Sequence, residues 1–233
     1  MGGRIDCYID IASFYSYIGF VYLIENLKTL EAHGVQIEFH PILLGGIMAN
    51  SGNNPPWLNK AKAKYGFYEG RRASDGAGMA DMQFPDDLMS QSHTILPLRA
   101  LHYIKANYPR EVYHATWAHL FKKFWTPPNL DLTKVDILAK VLAEFDAFDA
   151  FSPEECERIL AEAKSQEAKD ALTKATKSAL DKGAYGAPWL WVRDDKGEAE
   201  PFFGSDRFHH IYKYLGLPYQ DIALLPPGGR SKL

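Results

Sequence analysis

Segments able to form strands lie only toward the two ends of this chain, and that separation limits its possible folds more than any other feature. Ile5 to Ile11 is short, β-branched and aromatic, which suits a central strand covered on both faces. Ser13 then opens a helix in which Tyr17, Ile18, Val21, Ile24, Leu27 and Leu30 recur at helical spacing to about His33, where Gly34 supplies the stop. Val35 to Leu44 reads as a second strand, so the opening is a βαβ unit with parallel strands and a right-handed crossover. From Trp57 to about Leu180 the patterns are helical: Leu96 to Tyr108, Glu111 to Phe124, Lys134 to Phe145, and Pro153 to Lys164 continuing toward Leu180. Strand character returns only after Gly183, where Trp189 to Arg193 and Ala199 to Phe203 flank the hairpin turn Asp194-Asp195-Lys196-Gly197.

The consequence is an α/β chain whose one sheet is completed only when its two ends meet, so neither end is expected to fold without the other. This element order is that of a thioredoxin-like sheet interrupted by a large all-helical insertion. It divides the chain into a first half of the thioredoxin-like domain over 1–56, the helical insertion over 57–182, a second half over 183–222, and a tail over 223–233. Gly45-Gly46 and the run Asn50-Ser51-Gly52-Asn53-Asn54-Pro55-Pro56 predict an irregular loop where the first half gives way to the insertion. Ser152 with Glu155 forms a capping box and Pro153 sits in the first turn, which sets a helix start there. Ser205 is expected to cap a last helix carrying Phe208, Ile211, Tyr212 and Leu215, with Gly216 ending it.

Several function classes are excluded at this point. The 26 basic and 29 acidic residues nearly balance and form no basic stripe, so neither nucleic acid nor an anionic membrane surface is an expected partner. The uncharged run Ile11 to Ile24 falls short of the roughly 20 apolar residues a membrane span needs. Asp6 and Asp10 stand where a secretory signal would be apolar. Cys7 and Cys156 form no CxxC, and the histidines form no HExxH, so neither a disulfide framework nor a bound metal is expected. Cys7, within the first strand, reads as a small core residue.

Four places are candidates for chemistry. Ser13-Phe14-Tyr15-Ser16 begins the first helix, where free backbone N–H groups and the positive dipole end favour an anion, although Ser13 also reads as a plain N-cap. Ala187-Pro188, just before a strand, can take the cis form and leave the Ala187 backbone to pair with an extended ligand, or it can be an ordinary trans turn. Gly204-Ser205-Asp206-Arg207 offers N–H groups, a hydroxyl and an acid, which suits both ends of an α-amino acid. Asn53, before Pro55-Pro56, and Lys62 offer an amide and a cation for a polar ligand tail.

In order and spacing, the run Ser-x-Tyr-Ser, Leu44-Gly45-Gly46-Ile47-Met48 leading to Ser51-Gly52-Asn53-x-Pro55-Pro56, then Gly186-Ala187-Pro188 and Phe203-Gly204-Ser205-Asp206-Arg207 resembles the kappa-class glutathione transferases over nearly the whole chain. The related 2-hydroxychromene-2-carboxylate isomerases share the layout, and disulfide oxidoreductases of the DsbA type share the fold. The resemblance implies a homodimer that uses glutathione as co-substrate, without a metal. It implies that Ser13 hydrogen-bonds the glutathione sulfur, with Phe14 replacing the family's proline and Tyr15 beside it. Asn53, Ala187 with Pro188, and Ser205 with Asp206 would hold the tripeptide, and Lys62 its glycine carboxylate. Ser13 would donate to sulfur rather than attack, helping a thiol with a pKa of about 8.5 to ionise.

The activity so implied is conjugation of small electrophiles, or a related thiol-dependent reduction of peroxides. A second reading is a glutathione-dependent isomerase acting on an aromatic acid, with Trp57, Tyr65, Phe67 and Tyr68 as the substrate wall. A third is a protein that binds glutathione or an apolar ligand without turnover. Disulfide exchange is not expected, because it needs sulfurs at the helix start, where this chain has Ser13 and Ser16. Ser231-Lys232-Leu233 is the tripeptide read by the peroxisomal import receptor, which makes that receptor a partner and the peroxisome the expected location.

Overall fold

The first strand of the sheet, β1 (Gly3–Ile9), is flanked on both sides. The second, β2 (Val35–Pro41), lies parallel to it after α1 (Phe14–Glu25) and α2 (Leu27–Ala32), with Ile5 opposite Ile37 and Cys7 opposite Phe39. On the other side β3 (Trp189–Asp194) runs antiparallel with Cys7 opposite Leu190, and β4 (Ala199–Phe203) completes the hairpin, giving the order β2-β1-β3-β4. The computed structural model describes residues 2–149 and 151–220.

Both ends of the chain build this sheet, as the strand pattern requires. Between β2 and β3 no strand occurs among the described residues. The helices there are α3 (Leu44–Ser51), α4 (Lys60–Gly76), α5 (Leu88–Gln91), α6 (Ile95–Asn107), α7 (Arg110–Trp125), α8 (Val135–Ala143), α9 (Pro153–Glu162) and α10 (Gln166–Asp181). The last helix is α11 (Phe208–Tyr214).

Side-chain alternation along the strands separates two cores. Ile5, Cys7, Ile9, Ile37, Phe39, Leu190 and Val192 share one core with α1 and α7, where Phe20 lies 4.9 Å from Phe39 and 5.5 Å from Phe121, ring centre to ring centre. Tyr8 and Trp189 join Ile42, Ile47, Ala179, Ala184 and Ala187 in a smaller core under α3 and α10. Each large apolar side chain so buried contributes about 1.5–3 kcal/mol, and the insertion supplies partners to both cores. Cys7 is fully buried, the small core residue its strand position implies.

The capping box stands at the start of α9, with Ser152 and Glu155 each bonding the other's backbone. Other boundaries differ from the sequence pattern. The helix running toward His33 breaks at Asn26, whose side-chain amide donates to the Tyr22 carbonyl, the local competition that makes Asn a poor interior helix residue. Gly45 and Gly46 lie inside α3 rather than in a loop, because the start of that helix is held by Asp10 and its buried Ile47 packs into the smaller core. Ser205 is not a cap: α11 starts three residues later with Arg207 at its N-cap, after a turn in which Gly204 takes φ +94°.

Candidate active site

The start of α1 is held from three directions. Ser13, in extended conformation, is the N-cap: its Oγ accepts the Ser16 N–H at 3.1 Å. The same hydroxyl donates to the Ala187 carbonyl at 2.9 Å across 174 residues of sequence. This bond joins the two ends of the chain at the point where the first helix begins. Ala187-Pro188 is a cis peptide, and Gly204 N–H donates to the Pro188 carbonyl, so the segment after Phe203 is tied to the same loop.

Gly19, on α1, marks where these parts meet. A Cβ built there would lie 3.4 Å from the Pro188 ring and 3.7 Å from the Ser205 Cβ, so Pro188 and Ser205 both rest against this helix. Asn53 joins the group through its side-chain amide, which donates to the Tyr185 carbonyl at 2.7 Å, two residues before Ala187. The structure therefore gathers Ser13, Asn53, Ala187, Pro188 and Ser205 around one helix start. Asp206 is exposed and paired with Arg207. Lys62 sits in the exposed first turn of α4 and forms no ion pair among the described residues. These two stand at the margin of the group rather than in its hydrogen-bond network.

Phe14, where the resembled motif has proline, packs its ring on Phe84 in a stack with centroids 4.8 Å apart and meets Trp125 edge-on at 5.4 Å. Trp125 fixes this box by donating its indole N–H to the Ile11 carbonyl at 2.7 Å. Gly70 of α4 lies against both rings, with Phe14 and Phe84 each 3.7 Å from where its Cβ would be. Tyr15 turns an edge to Phe14 at 5.5 Å. Burial, and after it the negative charges of Glu69 and Asp206, hold the Tyr15 phenol above its ordinary pKa, so α4 and the 205–206 turn both bear on this side chain. Phe84 is 52% exposed beside Phe14, and Tyr65, Phe67 and Tyr68 are exposed along α4.

Asp10 is the residue here whose role the sequence did not disclose. Its buried carboxylate accepts from Ala12 N–H at 3.0 Å, Leu44 N–H at 2.7 Å and the Thr94 hydroxyl at 2.6 Å, so it pins the Ser13 loop, the start of α3 and the start of α6 together. Burial pushes its pKa up to about 6, and the hydrogen bonds pull against that rise without overcoming it. An acid between Ile9 and Ile11, just past the first strand and three residues before the candidate serine, was the available signal. Phe84, Trp125 and Thr94 left none, since their roles depend on which loops meet.

Chemically, the helix start presents a hydroxyl, backbone N–H groups and an adjoining aromatic face. That combination favours an anionic atom beside an apolar partner. No group of three or more metal-ligating side chains occurs among the described residues.

A sheet built from both ends of the chain, an insertion between them and a cis-proline loop facing the first helix define a protein of the thioredoxin superfold. Residues 4–216 match the DSBA-like thioredoxin domain, and the chain belongs to that family. Within it, the chain is similar over almost its whole length to curated kappa-class enzymes. It is 28% identical to glutathione S-transferase kappa 1 of Caenorhabditis elegans over 99% of this chain and 98% of that protein. It is 25% identical to glutathione S-transferase kappa 1 of Homo sapiens over 98% of this chain and 97% of that protein. In fold it is similar to a solved 2-hydroxychromene-2-carboxylate isomerase, with a TM-score of 0.72 and 18% identity over 91% of this chain and 94% of that one.

Proposed function

We propose that this protein is a glutathione-dependent enzyme of the kappa type, a glutathione transferase that ionises the tripeptide's thiol at the start of α1 and adds it to small electrophiles. The bond from Ser13 to the Ala187 carbonyl carries this reading, because it places a hydroxyl proton on the one carbonyl that an extended peptide ligand would also seek. When the ligand's own amide N–H takes that carbonyl, the Ser13 proton is released to face the sulfur. The Ser16 N–H remains on the Ser13 oxygen and keeps it oriented. Asn53, Ser205, Asp206 and Lys62 are then the residues available to the tripeptide's polar ends.

The magnitudes support the serine over the helix as the main source of acidity. Bringing a thiol from a pKa of about 8.5 to near 7 requires about 2 kcal/mol, at roughly 1.4 kcal/mol per unit. A hydrogen bond to a charged group supplies about 1.5–3 kcal/mol, whereas a helix end typically adds about 0.3–1 kcal/mol. Conjugation then forms a sulfur–carbon bond, and the leaving group departs with the electron pair. Reduction of peroxides by the same thiolate remains within this reading.

Phe84, exposed and backed by the buried Phe14 and Trp125, favours a flat, aromatic second substrate. It also supports a second reading, isomerisation of an aromatic acid with glutathione as a recycled nucleophile. Phe84→Ala is expected to raise the KM for an aromatic electrophile about 3- to 10-fold, the loss of roughly 1 kcal/mol of aromatic contact, while leaving glutathione binding unchanged. Steady-state kinetics with each substrate varied in turn checks this, and an equal loss for glutathione would move the box out of the second-substrate site. A conjugation assay run beside a glutathione titration separates both enzymatic readings from a protein that only binds.

The protein is proposed to act as a homodimer, by its likeness to the kappa class, which sedimentation at working concentration tests. Ser231-Lys232-Leu233, outside the described residues, is proposed to address it to the peroxisome through the import receptor. A fluorescent fusion at the amino end that stays diffuse with the last three residues intact would overturn that part.

A further inference from the structure

Two helices of the insertion, α6 and α10, and α3 before it enclose a cleft that the proposed chemistry does not use. α10 packs on both α3 and α6, and where they diverge they leave a cleft of about 330 Å³, the lower end of the size range of small-molecule sites. Its apolar walls come from Leu43, Ile95, Leu172 and Leu180. Its charged lining is Arg99 and Lys177, and no acidic side chain is among the described residues that line it.

The two cations are not equivalent. Lys177 already reaches Asp181 one helical turn away, at 2.6 Å. Arg99 is half-buried, and its Nε is shut off from solvent with no hydrogen-bond partner. It forms no ion pair among the described residues. That Nε is closed to a ligand as it is to water, so the donors Arg99 offers the cleft are the outer nitrogens of its guanidinium, which make no hydrogen bond to a described residue and whose fork geometry matches a carboxylate. Apolar walls beside that fork exclude a bare inorganic ion as the best occupant.

We infer that this cleft binds a small carboxylate with an apolar body, its carboxylate on Arg99 and its chain against Leu43, Ile95, Leu172 and Leu180. The site is separate from the start of α1. Leu43 and Ile95 nevertheless adjoin Leu44 and Thr94, two of the groups that hold Asp10, so occupant and Ser13 loop share a boundary.

Octanoate tests this, with acetate as the probe lacking an apolar body and octanol as the probe lacking charge. Calorimetric titration of the full-length protein is expected to show saturable octanoate binding, at least tenfold weaker binding of the other two, and no competition from saturating glutathione. Arg99→Leu should weaken octanoate at least tenfold while leaving the melting temperature and glutathione binding unchanged. Thr173→Trp, which fills the mouth from an exposed position on α10, should do the same without touching the arginine. Absence of saturable octanoate binding, binding indifferent to both substitutions, or displacement by glutathione would each overturn the assignment.

Discussion

Ser13→Ala should lower kcat/KM for conjugation about 100-fold, the loss expected when one donor to a developing anion is removed. Glutathione should still bind, because the substitution leaves Asn53, the Ala187 backbone, Ser205 and Asp206 in place. The thiolate absorbance that the bound tripeptide shows near neutral pH should disappear from the variant and return only at more alkaline pH. Stability should fall by roughly 2–4 kcal/mol, since the buried Ser16 N–H loses its cap and the buried Ala187 carbonyl its donor. A titration of bound glutathione that gives the same thiol pKa in both proteins would remove Ser13 from the mechanism.

The largest effect on folding is expected at Asp10. Asp10→Ala takes the acceptor from the buried Ala12 N–H, from the part-buried Leu44 N–H and from the Thr94 hydroxyl, which keeps only the long contact to the Ser92 carbonyl at 3.4 Å, so at about 1–3 kcal/mol for each desolvated donor a loss of roughly 2–5 kcal/mol is expected in denaturant melts. A domain of this kind has only about 5–15 kcal/mol in total. The cost should also depend on pH in a set direction. Unfolded, the carboxyl ionises near its ordinary 3.8, and folded at about 6. Between those values the native protein binds the extra proton, so the stability Asp10 contributes falls as pH rises through that window.

The wild-type curve alone does not show this. His102 and His114, each lowered to about 4 chiefly by burial, act with the opposite sign over nearly the same window. Their stability contribution is lost as pH falls. Burial pushes the Asp6 carboxyl up, but hydrogen bonds from His40 and Arg4 together hold it well below its ordinary value. Its contribution is therefore lost only below about pH 4. The difference between wild type and Asp10→Ala isolates the one group, and the penalty of the substitution should shrink by about 2 kcal/mol from pH 4 to pH 6.5. A penalty that stays constant, or grows, would show that Asp10 is ionised in the native protein throughout.

The strands and the split of the sheet were legible because period and residue type report them directly. Ile5, Cys7 and Ile9 and, far away, Leu190 and Val192 can only be buried, and burying them together makes the sheet. What was not legible depended on contacts between distant segments. Gly45-Gly46 joined a helix because Asp10 receives its first N–H, and Ser205 lost its cap role because Gly204 redirects the chain before α11. The candidate site shows the same division. Each motif near Ser13, Ala187 and Ser205 reads alone as a cap or a turn, and their order along the chain supplied the meaning. Asp10, Thr94, Phe84 and Trp125 stayed hidden because their side chains act through partners that only the folded chain supplies. Phe14 was visible as a departure from the resembled motif, but its stacking partner Phe84 is 70 residues away.

The most direct test is a crystal structure of the protein with glutathione bound. The tripeptide's sulfur should sit within hydrogen-bond reach of the Ser13 Oγ at the start of α1, with the Ala187 carbonyl transferred from that hydroxyl to the ligand's amide. A sulfur bound elsewhere, or a Ser13 hydroxyl still donating to Ala187 with glutathione in place, would contradict the account.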